Sequence, residues 1–142
     1  MVRVANRLLL ALAAATVLAA GATLLLATKP DPSLGEAGAY PVSIVSPDGA
    51  IWWNGTVAVG TGATPLGALE AAAAQGRFPI EVEPHALGAY VRGIGPFTET
   101  ATGGWNYCID SQWVGLAADA RPLRAGERVE WRWVEDGVEV CA

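Results

Sequence analysis

An uncharged run of 21 residues, LLLALAAATVLAAGATLLLAT at positions 8–28, separates the N-terminus from the rest of this 142-residue chain. About 20 apolar residues are needed to span the hydrocarbon core of a bilayer. Arg3 and Arg7 precede the run, so the positive-inside rule keeps the N-terminus in the cytoplasm and exports the C-terminal part of the chain. Residues 1–28 are therefore predicted to form a signal anchor, that is, an N-terminal transmembrane helix in the cell membrane.

The same run is compatible with a cleavable signal peptide. Ala20, Gly21 and Ala22 are small residues placed after an apolar stretch, as at a signal-peptidase site. In that alternative the protein is secreted instead of anchored in the membrane. Both interpretations place the C-terminal part of the chain outside the cytoplasm.

Two further segments come after the apolar run. Residues 29–39 are rich in Pro, Gly and other small residues without periodicity, which is typical of a linker. Residues 40–142 are long enough for a single domain with a modest core. The chain beyond Lys29 holds 14 acidic residues and 6 arginines, a balance of −8. Nucleic-acid binding needs clustered basic residues, so we expect no nucleic-acid partner.

Short strands dominate the pattern of the exported part. PVSIV at 41–45 is rich in β-branched residues and is followed by a turn signal at 47–49. Asn54-Gly55 lies between two apolar runs and indicates a tight hairpin or a bulge.

A helix is predicted between these strands and the later ones. Thr64 is a suitable N-cap, Pro65 suits the first helical position, and Gly76 lies where a helix would end. One helix among six or seven short strands predicts an α+β domain with a small mixed sheet.

Aromatic residues alternate along two of the later strands. Trp105 and Tyr107 share a face of one strand, and Trp131 and Trp133 share a face of the other, so the two stripes are expected to meet in the core. Trp113 follows a polar turn and is a candidate for exposure. Exposed aromatic rings are common in binding surfaces.

Catalytic and metal-binding patterns are not found in the sequence. His85 is the single histidine, it follows a proline, and no G-x-S-x-G elbow surrounds a serine. The acidic residues alternate along strands and do not form a calcium loop. We therefore expect neither catalytic residues nor a metal site nor a cofactor, and we expect that the protein is not an enzyme.

Cys108 and Cys141 form an even pair in a domain predicted to be exported, where disulfides persist. A bond between them would fasten the C-terminal tail to the strand that contains Cys108. Two separate thiols are the alternative. No C-x-x-C motif indicates a redox role.

The order of four stretches resembles the transcobalamin C-terminal-like domain, a family of unknown function in bacterial exported proteins. The resemblance spans about residues 40–135. Its most specific part is GGWNYCIDSQWVG together with the final GERVEW strand, and Ile109-Asp110-Ser111 stands where the family commonly has a Val-Asn-Gly turn. The four stretches are ALEAA, AYVRGIG, GGWNYCIDSQWVG and the final LRAGERVEWRW.

The resemblance implies a β-grasp-like fold and kinship with the domain that covers cobalamin in the vertebrate carriers. The residues that match the family's motif face are Tyr90, Trp105, Tyr107 and Trp113, which are candidates for lining a ligand surface. A non-catalytic module that binds a small ligand is the first expectation; a cobalamin-like ligand is open by resemblance alone and is not implied for this chain. The alternative is an accessory domain that docks on a membrane uptake complex or another cell-surface partner.

Overall fold

The computed structural model describes residues 31–141, in which eight β-strands and one α-helix succeed one another along the chain. The strands are β1 (Gly38–Val45), β2 (Ile51–Val59), β3 (Ile80–His85), β4 (Gly88–Ile94), β5 (Phe97–Thr98), β6 (Gly103–Ile109), β7 (Gln112–Trp113) and β8 (Val129–Glu135). Helix α1 (Pro65–Gly76) lies between β2 and β3 in the sequence.

Five of these strands form one sheet, in the order β2-β1-β8-β6-β7. β1 and β8 come from opposite ends of the described chain and run parallel at its centre, whereas the other pairs are antiparallel. Val42 of β1 lies opposite Val129 of β8, and both side chains are buried. Pairing the first strand with the last closes the domain around a core built from one face of this sheet.

The remaining strands form a second, antiparallel sheet in the order β3-β4-β5. Its register shifts between Glu81 and Val82, which bulges β3 against β4. Val91 and Ile94 of β4 are buried and belong to the same core as the larger sheet. The tip of the β3–β4 hairpin, residues 85–88, extends to the segment that comes after β7.

Helix α1 begins where the sequence predicts. The Thr64 hydroxyl accepts a hydrogen bond of 3.1 Å from the Gly67 amide, and Pro65 occupies the first turn. The left-handed residue at the C-terminal end is Arg77 (φ 54°), not Gly76. Gly76 is required for another reason, because a Cβ there would lie 2.6 Å from Nε1 of Trp53.

The hairpin or bulge predicted at Asn54-Gly55 is wrong, because both residues lie inside the continuous strand β2 and pair in regular register with β1. The chain reverses earlier, where the amide of Ser46 donates to the carbonyl of Ala50 at 2.9 Å. Gly55 does not form a turn. It leaves room for the ring of Trp53, since a Cβ there would lie 2.8 Å from that ring.

The predicted aromatic core is confirmed by the pairing of β6 with β8. Trp105 lies opposite Trp133, and Tyr107 lies opposite Trp131. The ring centroids are 5.7 Å apart in the first pair and 5.5 Å apart in the second. Such tilted and edge-to-face contacts add to the stabilisation that burial of the rings supplies.

The predicted disulfide between Cys108 and Cys141 is confirmed, with the two Cα atoms 6.0 Å apart. Cys108 is buried in β6, and the bond holds the tail beyond β8 against that strand. Two free thiols, the alternative left open by the sequence, are therefore excluded.

The predicted fold class is wrong. Residues 31–141 are mainly β, with a five-stranded and a three-stranded sheet around one helix, whereas the sequence predicts an α+β, β-grasp-like domain with one small mixed sheet. Periodicity reveals strands but not their division between sheets, which explains the error. Within the described part of the chain, no helix is long and apolar enough to cross a bilayer. The transmembrane helix is predicted for residues 8–28, which lie outside the described residues.

The predicted boundary between a linker at 29–39 and a domain at 40–142 stays a prediction. Several residues of the linker segment do have partners in the domain. The Glu36 amide donates to the Leu123 carbonyl at 2.8 Å, and the Arg124 guanidinium donates to the Leu34 carbonyl at 2.7 Å.

Candidate ligand-binding groove

A groove of about 560 Å³ opens between the tip of the β3–β4 hairpin and the chain segment after β7. Most of its walls are backbone and small or apolar side chains. The residues that line it are His85, Ala86, Leu87, Gly88, Ala89, Tyr90, Gly115 and Ala117. This volume lies within the range of about 300–1,000 Å³ that is usual for small-molecule sites.

The hairpin tip is a tight turn that displays an apolar side chain. His85 pairs with Gly88, so Ala86 and Leu87 alone form the loop, and Gly88 has a positive φ of 125°. The side chain of Leu87 is 92% exposed. A leucine held in water at the tip of a rigid turn is a feature expected of a contact site.

The hairpin tip is fixed against the opposite wall. The Ala89 amide donates a hydrogen bond of 2.9 Å to Oδ1 of Asp119. A Cβ at Gly88 would lie 2.4 Å from the Cβ of Ala117, so only glycine permits this approach. The groove is therefore preformed at this end.

The opposite wall, residues 115–118, is fixed from below by two hydrogen bonds. The Tyr107 hydroxyl donates to the Leu116 carbonyl at 2.6 Å, and the Leu66 amide at the start of α1 donates to the Ala118 carbonyl at 2.9 Å. Leu116 itself is exposed. The core strand β6 and the helix thus position this wall together.

Tyr90 is one of the two polar side chains, with His85, that line the groove. Its ring packs edge-on against His85, with the centroids 5.6 Å apart. Burial, and then the hydrogen bond with Glu99, raise the pKa of the Tyr90 hydroxyl, so this group stays protonated at neutral pH. The hydrogen bonds from Tyr90 and Arg92 lower the pKa of Glu99. The Tyr90 ring is therefore held in place by a charged partner.

An ion-pair network holds the outer face of the same hairpin. The Arg92 guanidinium donates to Glu99 at 2.7 Å and to Glu83 at 3.1 Å, and Nε2 of His85 lies 3.7 Å from a Glu83 oxygen. These side chains link β3, β4 and the segment after β5. They stiffen the hairpin that carries Leu87, and of these side chains His85 also lines the groove.

The structure divides the four predicted ligand-binding residues into two pairs. Tyr90 lines the groove, and Trp113, which is 64% exposed, lies beside Gly115 at its margin. Trp105 and Tyr107 are 3% and 7% exposed and belong to the core. The inner pair nevertheless lines a smaller cleft behind the groove. Ligand contact by any of the four stays a prediction.

Sequence reasoning missed two exposed apolar residues, Leu87, which lines the groove, and Leu116, which lines the smaller cleft. Neither belongs to a strand pattern, because both lie in loops. The available signal was the leucine that precedes Gly88 within a very short connection between two strands. An apolar residue at such a turn has no core to enter.

The groove has few titratable side chains. Of its lining residues, His85 and Tyr90 carry titratable side chains, and Tyr90 is engaged with Glu99. Within residues 31–141, no group of three or more His, Cys, Asp or Glu side chains could hold a metal ion. The groove therefore presents mainly its shape and its apolar surface to a molecule that enters it.

Comparison of the sequence with models of known protein families and with curated proteins finds no match. Comparison of the structure with solved structures does find similar folds. Part of haptocorrin, solved in complex with Cbi, is similar with a TM-score of 0.60 at 19% sequence identity. The likeness covers 72% of this chain and 26% of haptocorrin, so this chain spans about a quarter of that protein.

A candidate metal-binding protein from Ruminococcus gnavus has a similar fold as well. Its TM-score is 0.52 at 16% identity, with 68% of this chain and 96% of that chain covered. At such identities the likeness concerns the fold, which is transcobalamin-like. Neither description names an enzyme.

Proposed function

We propose that this protein is a non-catalytic, exported binding domain of the transcobalamin C-terminal-like type, whose groove holds a small organic ligand. The observation that carries the proposal is the position of Leu87. This leucine is almost fully exposed on a fixed hairpin tip, and it lines a groove of about 560 Å³. Preformed apolar concavities with few polar groups are the usual form of small-molecule sites.

A flat, partly apolar ligand suits this groove best. The hairpin tip presents Leu87, Leu116 lines the adjoining smaller cleft, and Trp113 lies at the margin, so a ligand in the groove would contact mainly apolar side chains. The fold likeness to haptocorrin, described in complex with Cbi, supports a corrinoid as the first ligand to try. A corrinoid ring has a broad apolar face and polar substituents at its rim.

Export is part of the proposal, and the disulfide supports it. Cys108 and Cys141 are bonded, and such bonds persist in oxidising compartments. Mass spectrometry of the full chain, alkylated in intact cells before lysis, tests this point. We expect both cysteines to be protected from the reagent. Full alkylation of both thiols would contradict export to an oxidising compartment.

Titration of the full chain with Cbi and with cyanocobalamin tests the ligand. Binding is followed by tryptophan fluorescence and by calorimetry. We expect Leu87→Ser to weaken binding about fivefold to thirtyfold, as for an anchor worth about 1–2 kcal/mol. Leu34→Ser is the matched control, because Leu34 is also an exposed leucine and does not line the groove.

Two results would contradict the proposal. If neither Cbi nor cyanocobalamin binds, corrinoids are excluded as the ligand class. Equal affinity of the wild type and Leu87→Ser would show that the ligand lies elsewhere, as expected of a domain that docks a protein through another face.

A further inference from the structure

Behind the groove, a smaller cleft of about 100 Å³ extends toward the larger sheet. The two cavities share Ala89, Tyr90 and Ala117 in their walls, so they adjoin. The inner wall of the cleft is formed by Tyr107 and Trp131, which face each other across β6 and β8. A ligand in the groove would therefore lie directly in front of this cleft.

Trp131 has an unusual feature for a core tryptophan. Its side chain is 2% exposed, and its indole Nε1 has no hydrogen-bond partner among the described residues. Leaving a buried donor unpaired costs free energy, and native proteins rarely tolerate this without a reason such as a bound molecule.

The neighbouring polar groups show that the fold pairs such donors where no ligand is needed. Nε1 of Trp105 donates to the Phe97 carbonyl at 2.9 Å, and the Tyr107 hydroxyl donates to the Leu116 carbonyl at 2.6 Å. The donor of Trp131 thus differs from those beside it in the same cleft.

We propose that the cleft in front of Trp131 is a subsite that receives a hydrogen-bond acceptor, a carbonyl or carboxamide oxygen, carried by the ligand in the groove. This inference rests on the proposed ligand-binding function and specifies which part of the ligand is recognised. Nε1 of Trp131 donates to the entering oxygen, and because this buried donor is otherwise unpaired, it favours ligands that carry an acceptor at that point.

A resident water is the competing occupant. Buried waters make about three hydrogen bonds on average, and the aromatic groups of this cleft offer donors that are already engaged, apart from Trp131. Among the aromatic groups, one free donor suits a single acceptor attached to a larger molecule, although the Asn106 side chain also lines the cleft and offers a water a further partner. The volume also exceeds the share of about 30 Å³ that one water takes in the liquid.

Acetamide and xenon provide an experiment on the unmodified full chain. The chain is labelled with ¹⁵N at the tryptophan indoles, and each probe is titrated while the indole resonances are recorded. Acetamide carries the acceptor, and xenon fills apolar space without one. The Trp133 indole serves as an internal reference, because its Nε1 already donates to Glu135 at 2.9 Å.

We expect acetamide to move the Trp131 indole proton downfield along a saturating curve while Trp133 stays in place, and xenon to cause no such downfield shift. An unmoved Trp131 resonance would overturn the proposal. A long-lived water with a cross-peak to this proton that persists at saturating acetamide would overturn it as well.

Trp131→Phe removes the donor and keeps a ring, and Trp133→Phe is the control on the same strand. With Cbi as the probe, we expect roughly fivefold weaker binding by Trp131→Phe and unchanged binding by Trp133→Phe. Equal affinities in two folded variants would overturn the subsite. Should Trp131→Phe fail to fold, the acetamide titration of the wild type decides alone.

These readouts separate the subsite from the ligand class. An acetamide shift without Cbi binding keeps the subsite and removes the corrinoid from the proposed function. Cbi binding without an acetamide shift keeps the proposed function and removes the subsite.

Discussion

The hydroxyl of Tyr107 donates a hydrogen bond of 2.6 Å to the carbonyl oxygen of Leu116, which joins a core strand to a wall of the groove. The ring of Tyr107 is buried against Trp131, whereas the side chain of Leu116 is exposed. One side chain therefore serves both the packing of β6 and the position of a surface loop. The shape of the groove is in this sense a property of the core.

Replacing Tyr107 with phenylalanine tests this connection. The ring stays, but the Leu116 carbonyl loses its partner, so we expect the free energy of unfolding to fall by about 0.5–1.5 kcal/mol. Amide hydrogen exchange at residues 115–118 should become faster. Tyr40→Phe is the matched control, because the Tyr40 hydroxyl also donates to a backbone carbonyl, that of Glu36. Faster exchange at 115–118 in both variants would show only general loosening.

The two tryptophans on either side of the β6–β7 turn should respond very differently to truncation. Trp105→Ala empties a core position, and we expect a loss of about 3–5 kcal/mol in the free energy of unfolding. Trp113→Ala removes a ring that is mostly exposed, and we expect a loss below about 1 kcal/mol. Urea unfolding of both variants measures this. A Trp113→Ala variant as unstable as Trp105→Ala would contradict the exposure of Trp113.

Local chemistry in the sequence predicts both ends of the helix, but not every reason for the residues found there. The cap and the first turn at Thr64 and Pro65 depend on a few adjacent residues, and the structure has them as predicted. The helix also ends at Gly76 as predicted, and the left-handed residue that follows it is Arg77. Gly76 leaves room for the ring of Trp53, which is distant in the sequence, so no pattern of neighbouring residues predicts that contact.

The candidate groove could not be predicted from the sequence. Strand alternation predicts that Trp105 and Tyr107 point inward, and the polar turn before Trp113 predicts that its ring is exposed. In the structure the first two are buried and Trp113 is exposed. The groove, however, depends on where the β3–β4 hairpin meets residues 115–118. That meeting results from the division of the strands between two sheets, which periodicity does not reveal.

The disulfide between Cys108 and Cys141 should contribute strongly to stability, because it closes a loop over 33 positions. The chain-entropy account gives about 3–4 kcal/mol for such a loop. We expect the double variant Cys108→Ala/Cys141→Ala to melt at a temperature lower by about 10 °C or more. Alanine is chosen because Cys108 is buried and a serine hydroxyl would add a cost of its own.

Reduction of the wild type gives an independent measurement of the same quantity. The reduced wild type and the double alanine variant should melt close together, well below the oxidised wild type. If reduction leaves the melting temperature unchanged, the bond does not constrain the unfolded chain as the loop length predicts.

Acid sensitivity should depend on Glu127, which lies before β8. The Arg121 guanidinium donates to its carboxylate, with the second contact at 2.8 Å, and the Arg124 amide donates to it at 2.8 Å. The hydrogen bond from Arg121 is the main cause that lowers the pKa of Glu127 below its ordinary value. The folded state therefore binds this proton less readily than the unfolded chain.

The contribution of Glu127 is accordingly complete above the ordinary glutamate pKa of about 4.3 and is lost as the pH falls through the lower folded value. We expect Glu127→Gln to reduce the free energy of unfolding by about 1–2 kcal/mol at pH 7, as for a hydrogen bond to a charged group that is partly accessible to solvent. The difference from the wild type should shrink as the pH falls below about 4.3. Urea unfolding at both pH values measures it, with Glu70→Gln on the exposed face of α1 as the control. A difference that stays constant down to the acid transition would show that Glu127 acts through its shape and not through its charge.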